Sequence, residues 1–273
     1  MKKTAFVTCV TLGLSCIEEI YNIGGKLDLL ITLEDDIDTQ KSGRIYLDSI
    51  AAEKNIPLLK IKNINDREVK EKIKEYEIDW LFIIGWSQIA KNELLRTPYS
   101  GCIGMHPTLL PEGRGRASIP WAILKGLNQT GVTLFKLDEG VDTGEIIDQV
   151  STEITKDTTA TDLYSRINEL HVDLINRNWK DIITDKIILT TQDESLATIW
   201  SGRTPKDGEI TNDMTMDEAE RLVRATTYPY PGAFYNLGKK TIRVWEAVQN
   251  KQYGDIKLSD GFLELKKYEE EVI

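Results

Sequence analysis

The feature that most limits what this chain can fold into is the segment 79–85, DWLFIIG, an apolar run with no in-out alternation. A strand that offers apolar side chains to both faces must be covered on both, as happens in a parallel sheet held between helices. Comparable short runs recur at 5–10, 28–33, 57–61 and 101–105, and amphipathic stretches lie between them at 14–23, 44–54, 65–76 and 88–96. This βαβα rhythm predicts an α/β fold with a doubly wound, mostly parallel, Rossmann-like sheet. Further strands are expected at 131–137 and 145–150, then a long helix over 161–182 with Leu163, Ile167, Leu170, Leu174 and Ile175 on one face. Past residue 200 the texture changes to GRTPKDGEI, a helix near 216–225, YPYPGAF and short alternating strands. The chain therefore divides into a catalytic domain at 1–203 and a small, mainly β C-terminal domain at 204–273, with LKKYEEEVI as a frayed charged end.

Charge narrows the function classes. A net charge of -10 without a lysine-arginine cluster argues against a nucleic-acid partner, whose backbone is held by clustered cations. A small anionic substrate stays compatible, since a few local basic groups serve one phosphate pair. The opening MKKTAFVTCVTLGLSC has the outline of a signal peptide, but Thr4, Thr8 and Thr11 interrupt it, and 5–10 reads as a buried strand. No stretch reaches the roughly 20 apolar residues of a membrane span, so a cytoplasmic protein without a membrane partner is expected. Cys9, Cys16 and Cys102 are too few and too scattered for a disulfide framework or a metal site, and a reducing compartment follows.

In doubly wound sheets ligands sit outside the carboxyl ends of the strands, so the loops after residues 10, 33, 84 and 105 should line the site. Histidine is scarce, with only His106 and His171. His171 lies within the long amphipathic helix and reads as a surface or partly packed side chain. His106 ends an apolar strand and precedes Pro107, where a ring can project into a cleft; a packed histidine is the competing reading. Asp142 sits in the glycine-bracketed turn Gly140-Val141-Asp142-Thr143-Gly144. Glycines let the backbone approach a ligand and an acid there can orient an imidazole, yet such a turn is equally consistent with Asp bonding its own backbone.

Two longer stretches carry a resemblance: GCIGMHPTLLPEGRGRASIPWAILKG at 101–126 and TGVTLFKLDEGVDTGEII at 130–147. Together, with their His-Pro-x-Leu-Leu-Pro run, Arg-Gly pair, Thr-Gly-Val-Thr strand and acidic glycine turn, they resemble the folate-dependent formyltransferase family. That family includes methionyl-tRNA, glycinamide ribonucleotide and nucleotide-sugar formyltransferases. RTPKDGEI and RATTYPYPGAF look like pieces of its sugar-modifying branch. The resemblance implies an N-formyltransferase that moves a formyl group from N10-formyltetrahydrofolate to an amine without a metal. It implies that His106 contacts the oxyanion and handles the proton, while Asp142 holds and polarises the ring. The family's asparagine two residues before the histidine is Gly104 here, and Gln88, then Ser87 or a water, is the expected replacement for its amide. The resemblance also implies that folate lies along Trp86, Ser87, Gln88 and Ile89 and along the turn Leu137, Asp138, Glu139, Gly140 and Val141. Trp86 either flanks the folate ring or packs on the sheet.

Thr11, Thr108, Arg114 and Tyr228 are the expected substrate contacts, with Arg114 of the Arg-Gly pair facing phosphate. The acidic balance and the short region after 204 disfavour tRNA as acceptor, and the extra terminal portion disfavours a ribonucleotide amine. A nucleotide-linked amino sugar is left, the nucleotide being UDP, GDP or dTDP, and the product feeding polysaccharide synthesis. Two other readings stay open: a folate-binding protein weakened by Gly104, and a hydrolase of formylfolate. A homodimer through the small domain is also compatible.

Overall fold

The computed structural model describes residues 2–39 and 41–272. Its elements run β1 (Thr4–Val7), α1 (Thr11–Asn22), β2 (Leu29–Leu33), α2 (Asp48–Lys54), β3 (Leu58–Ile61), α3 (Arg67–Glu75), β4 (Trp80–Ile84), α4 (Asn92–Leu95) and β5 (Gly101–His106). They continue with β6 (Arg114–Gly115), α5 (Ser118–Leu124), β7 (Gln129–Lys136), β8 (Ile146–Glu153), α6 (Ala160–Ile183), β9 (Ile199–Trp200) and α7 (Met216–Thr226). The last strands are β10 (Ala233–Leu237), β11 (Lys240–Asn250), β12 (Ile256–Lys257) and β13 (Phe262–Val272).

The main sheet has the order β3-β2-β1-β4-β5-β7-β8. Its first five strands pair in parallel, and β7 runs antiparallel to β5. The mostly parallel α/β fold expected from the apolar runs is thus the fold observed. The chain alternates faces within each strand, and both faces are apolar. Ala5, Val7, Leu81 and Ile83 join Val69 and Ile73 of α3 in one buried cluster. Phe6 stacks on Phe82 at 5.7 Å, and Phe82 meets Trp179 of α6 at 5.7 Å. The indole of Trp80 is fixed by donating to the Ile182 carbonyl at 3.1 Å. Burying a large apolar side chain contributes about 1.5–3 kcal/mol, so this two-faced covering dominates the stability of the sheet. It leaves the carboxyl end of β5 at a fixed position, with His106 in register with Thr133 of β7.

Two compact units emerge. The first holds the residues up to Arg114 together with Gly131–Ser151 and Ile167–Ile199; the second holds Gly115–Thr130, Thr152–Arg166 and the residues from Trp200 onward. The second has its own antiparallel sheet, β10-β11-β13-β12, with a core of Met216, Ala219, Leu222 and Val223 from α7 against Ala233, Val244 and Leu263. α7 begins with a capping box, in which Thr215 Oγ1 accepts from Glu218 N–H and Glu218 Oε2 accepts from Thr215 N–H.

Three expectations change. The stretch 44–54 is helical only over Asp48–Lys54, since Arg44 forms an isolated bridge with Val10 ahead of it. The stretch 88–96 is helical only over Asn92–Leu95, because Asn65 holds the loop before it, donating to the Ile89 carbonyl and accepting from Lys91 N–H. The charged end is not frayed: it is β13, paired along β11 from Lys240–Val272 to Asn250–Phe262. Its acids face cations across the ladder, Glu270 with Lys240 and Glu271 with Arg243. Among the described residues, no helix is long and apolar enough to cross a membrane.

Candidate active site

β5 carries His106 to its last residue, where the ring is buried. Nε2 lies 2.8 Å from the Gly113 carbonyl. A carbonyl only accepts, so Nε2 carries a hydrogen and donates. Nδ1 faces the Asp142 carboxylate at 3.6 Å, farther than a direct hydrogen bond and an ion pair only when the ring carries a second proton. Asp142 stands in the β7–β8 turn at φ 56, the left-handed region that L residues enter only with local support. The turn supplies it. Asp138 Oδ1 accepts from Gly140 N–H and from Thr143 Oγ1, and a Cβ on Gly144 would lie 1.7 Å from the Lys136 carbonyl. Glycine at 144 is what lets the turn close on β7.

The structure brings His106 and Asp142 together and places the other expected residues as follows. Gln88 sits in the loop after β4 with its amide tied to the loop after β3: Oε1 accepts from Ile64 N–H at 2.8 Å and Nε2 donates to the Lys62 carbonyl at 2.9 Å. Trp86 packs on the cluster beneath the sheet, with Lys41 over its ring and Lys41 Nζ donating to Ser87. Ile89 is 73% exposed and Val141 55% exposed, so each expected folate segment shows an apolar side chain to solvent. Leu137 is half-buried on the same cluster as Trp86. Glu139 is paired with Arg96. Thr11 donates to the Gly43 carbonyl through both N–H and hydroxyl. Thr108 is buried beside His106 and has a hydroxyl without a partner among the described residues. Tyr228 belongs to the second unit and is exposed.

Arg114 is where the site differs most from expectation. Its guanidinium is enclosed, and its donors go to Gln192 Oε1 and to both Glu194 oxygens. Glu194 holds the guanidinium more firmly protonated than usual, and the guanidinium holds the Glu194 carboxyl below the ordinary range. Gln192 was invisible as a site residue in TTQDESLAT. It arrives through an isolated bridge between Ile146 and Thr190, a long-range pairing that no local pattern announces.

Gly104 has a structural reason. A Cβ there would come within 2.7 Å of Leu137 Cδ2, so the Leu137 side chain occupies the room that a larger residue would need. His171 is not on the helix surface. It is 1% exposed, with Nδ1 bonded to the Ile167 carbonyl, and burial pushes its imidazole down to about 4. In the second unit a hollow of about 450 Å³ is edged by Arg221 and Arg224. Those cations are spent on Asp217 and Glu220, one helical turn away, and the hollow brings no catalytic pair together.

Residues 28–178, more than half of the chain, match the formyl transferase family, and residues 203–268 match the formyl transferase C-terminal domain. The chain belongs to the formyl transferase family, and as an enzyme it is a formyltransferase. Among solved structures it is similar to the N-formyltransferase from Helicobacter canadensis in complex with folinic acid and dTDP-3-aminofucose. Identity is 21%, the TM-score is 0.75, and the match covers 98% of this chain and 100% of the other. It is also similar to a 4-N formyltransferase from Francisella tularensis, at 23% identity and TM-score 0.68 over 86% and 93% of the two chains. Methionyl-tRNA formyltransferase from Clostridium thermocellum matches at 19% identity and TM-score 0.64 over 100% and 99%.

Proposed function

We propose that this enzyme transfers the formyl group of N10-formyltetrahydrofolate to the amine of a nucleotide-linked amino sugar. The observation that carries the reading is the His106–Asp142 pair at the end of β5, with the second ring nitrogen already committed to Gly113. Formyl transfer to an amine requires the nitrogen to lose a proton. Because Nε2 is donating to a carbonyl, proton exchange falls to Nδ1, and the adjacent carboxylate stabilises the charge of an imidazolium formed there.

The residues present fit a folate. Ile89 and Val141 offer exposed apolar surface, and the Trp86 indole N–H and Thr108 hydroxyl are enclosed polar groups without a partner among the described residues. Folate would be held along residues 86–89 and 137–141, and it supplies a formyl carbon open to amine attack. With Gly104 in place no amide extends from that position. The Gln88 amide does not replace it: both of its ends are bonded to the loop after β3, four strands away from β5 in the sheet.

Similarity over the whole length does not choose between a sugar and a tRNA, since relatives of both kinds are matched almost completely. Charge favours the sugar: -10 over the chain disfavours sustained contact with a nucleic-acid backbone. The test incubates the purified chain with N10-formyltetrahydrofolate and a panel of UDP-, GDP- and dTDP-amino sugars, read by mass spectrometry. One added formyl group on a panel member is the expected result. Formylation of methionyl-tRNA with none of the panel modified would overturn the acceptor.

A further inference from the structure

We propose that Arg114 and Gln192 form a positioning pair that sets Asp142 against His106, a role that rests on the formyl-transfer reading above. Gln192 is 5% exposed, and its amide nitrogen donates to two carbonyls of the acidic turn, Asp142 at 2.9 Å and Gly144 at 2.7 Å. Both amide hydrogens are thereby used. Its oxygen accepts from Arg114 Nε at 3.2 Å and Nη2 at 2.8 Å. The guanidinium fixes which way the amide faces, because a flipped amide would set donors against a cation and its oxygen against two carbonyls. Glu194 pins the guanidinium with bonds of 2.9 and 2.6 Å. Order therefore passes from Glu194 to Arg114, to Gln192, to a turn whose aspartate holds a left-handed conformation.

The same arginine reaches the other side of the histidine. Gly113, its chain neighbour, provides the carbonyl that receives Nε2, and Gly113 N–H is held by Thr198 Oγ1 at 2.8 Å. Arg114 N–H is bonded to the Thr198 carbonyl at 2.9 Å. A shift of Arg114 thus displaces both groups that face the His106 ring. A guanidinium serving only to bind phosphate would leave its fork open; this one is closed by an amide and a carboxylate. Gln192 and Arg114 touch no reacting atom and act through Asp142 and His106.

Three variants test the proposal: Gln192→Met, which keeps length and removes the donors, Gln192→Glu, which keeps the partner for Arg114, and Arg114→Lys, which keeps the charge and loses the fork. Each is assayed for kcat, KM and the pH profile of kcat, and by imidazole ¹⁵N NMR. The chain has two histidines, so His171 serves as an internal reference for His106. In Gln192→Met, kcat should fall about 10- to 100-fold at nearly constant KM for the formyl donor, as expected when a reacting group is displaced without loss of binding. The pH profile and the His106 ring signals should move while those of His171 stay. Gln192→Glu should not rescue, since it cannot donate to the turn, and Arg114→Lys should move the same signals less.

Unchanged His106 signals and an unchanged pH profile in Gln192→Met, with only a lowered melting temperature, would overturn the proposal. If Gln192→Met does not fold, the same two readouts in Arg114→Lys decide it in the same way. Absence of any formyl transfer in the unmodified chain would instead sink the functional reading, and the ring signals would still decide the positioning.

Discussion

At the carboxyl end of β5, His106 is buried with a carboxylate facing Nδ1 and a carbonyl facing Nε2; inside α6, His171 is buried with the Ile167 carbonyl of its own helix at Nδ1. Burial is common to both. The difference lies in what surrounds the ring. Burial penalises the charged form of His171, a charge on His106 would penalise it further, and the ring is held neutral. His106 meets an acid on a separate turn, and that turn is itself anchored by Gln192 and Arg114. A reactive histidine therefore needs a charged partner brought from a distant part of the chain and a second layer that keeps the partner still, whereas burial alone produces an inert one.

The largest expected effect breaks the comparison at its reactive end. His106→Gln or Asp142→Asn should lower formyl transfer by about 10²- to 10⁴-fold with the fold intact, as loss of a proton-transfer group does. Product mass spectrometry beside a circular dichroism melt reads this, and near-normal turnover in either variant would show that the pair is not the reacting centre.

The inert end has its own signature. With the folded imidazole at about 4 and the ordinary value at 6.5, the unfolded chain takes up the proton first as pH falls. Stability from the neutral ring is then full above about 6.5 and is lost toward about 4, to the extent of about 3 kcal/mol. Urea titrations across that window should show the loss, and His171→Leu should remove it. An equal slope in that variant would mean the ring is not held neutral.

A smaller effect concerns the room beside His106. Gly104→Asn should cost about 1–3 kcal/mol, because Leu137 already fills the space. Adding Leu137→Ala should return part of that cost in a denaturant titration. If the single variant is as stable as the parent chain, Leu137 does not explain the glycine. The smallest effect serves as a control in the second unit. Thr215→Ala removes one half of the α7 capping box and should lower stability by about 1 kcal/mol. Formyl transfer should be unchanged, and a fall in kcat would show that the cap matters beyond stability.

The same comparison explains what was legible in the sequence. The strands of the main sheet announce themselves because burial on both faces demands uninterrupted apolar runs such as DWLFIIG, and that demand is local. The His-Pro run and the glycine turn are local too, and they suffice to bring forward His106 and Asp142 as candidates. Gln192 has no such signature, since its role is defined by Arg114 and by carbonyls about 50 residues earlier. The burial of His171 was legible in the helix period, since it falls four residues after Ile167 and three before Leu174 on the apolar stripe, although its polar ring suggests a surface position. The charged end read as frayed because its acids find their cations on β11, outside any local window.

The placement of β13 also sets what the small sheet can lose. In that sheet, β13 lies between β11 and β12 although it follows both in sequence. Take β13 away and the long inner edge of β11 has no neighbour on that side, while β12 has no strand to pair with. An unpaired edge of this length invites pairing with other chains. The tendency of the protein to associate edge to edge is therefore governed by how firmly β13 is held, independently of the chemistry at His106.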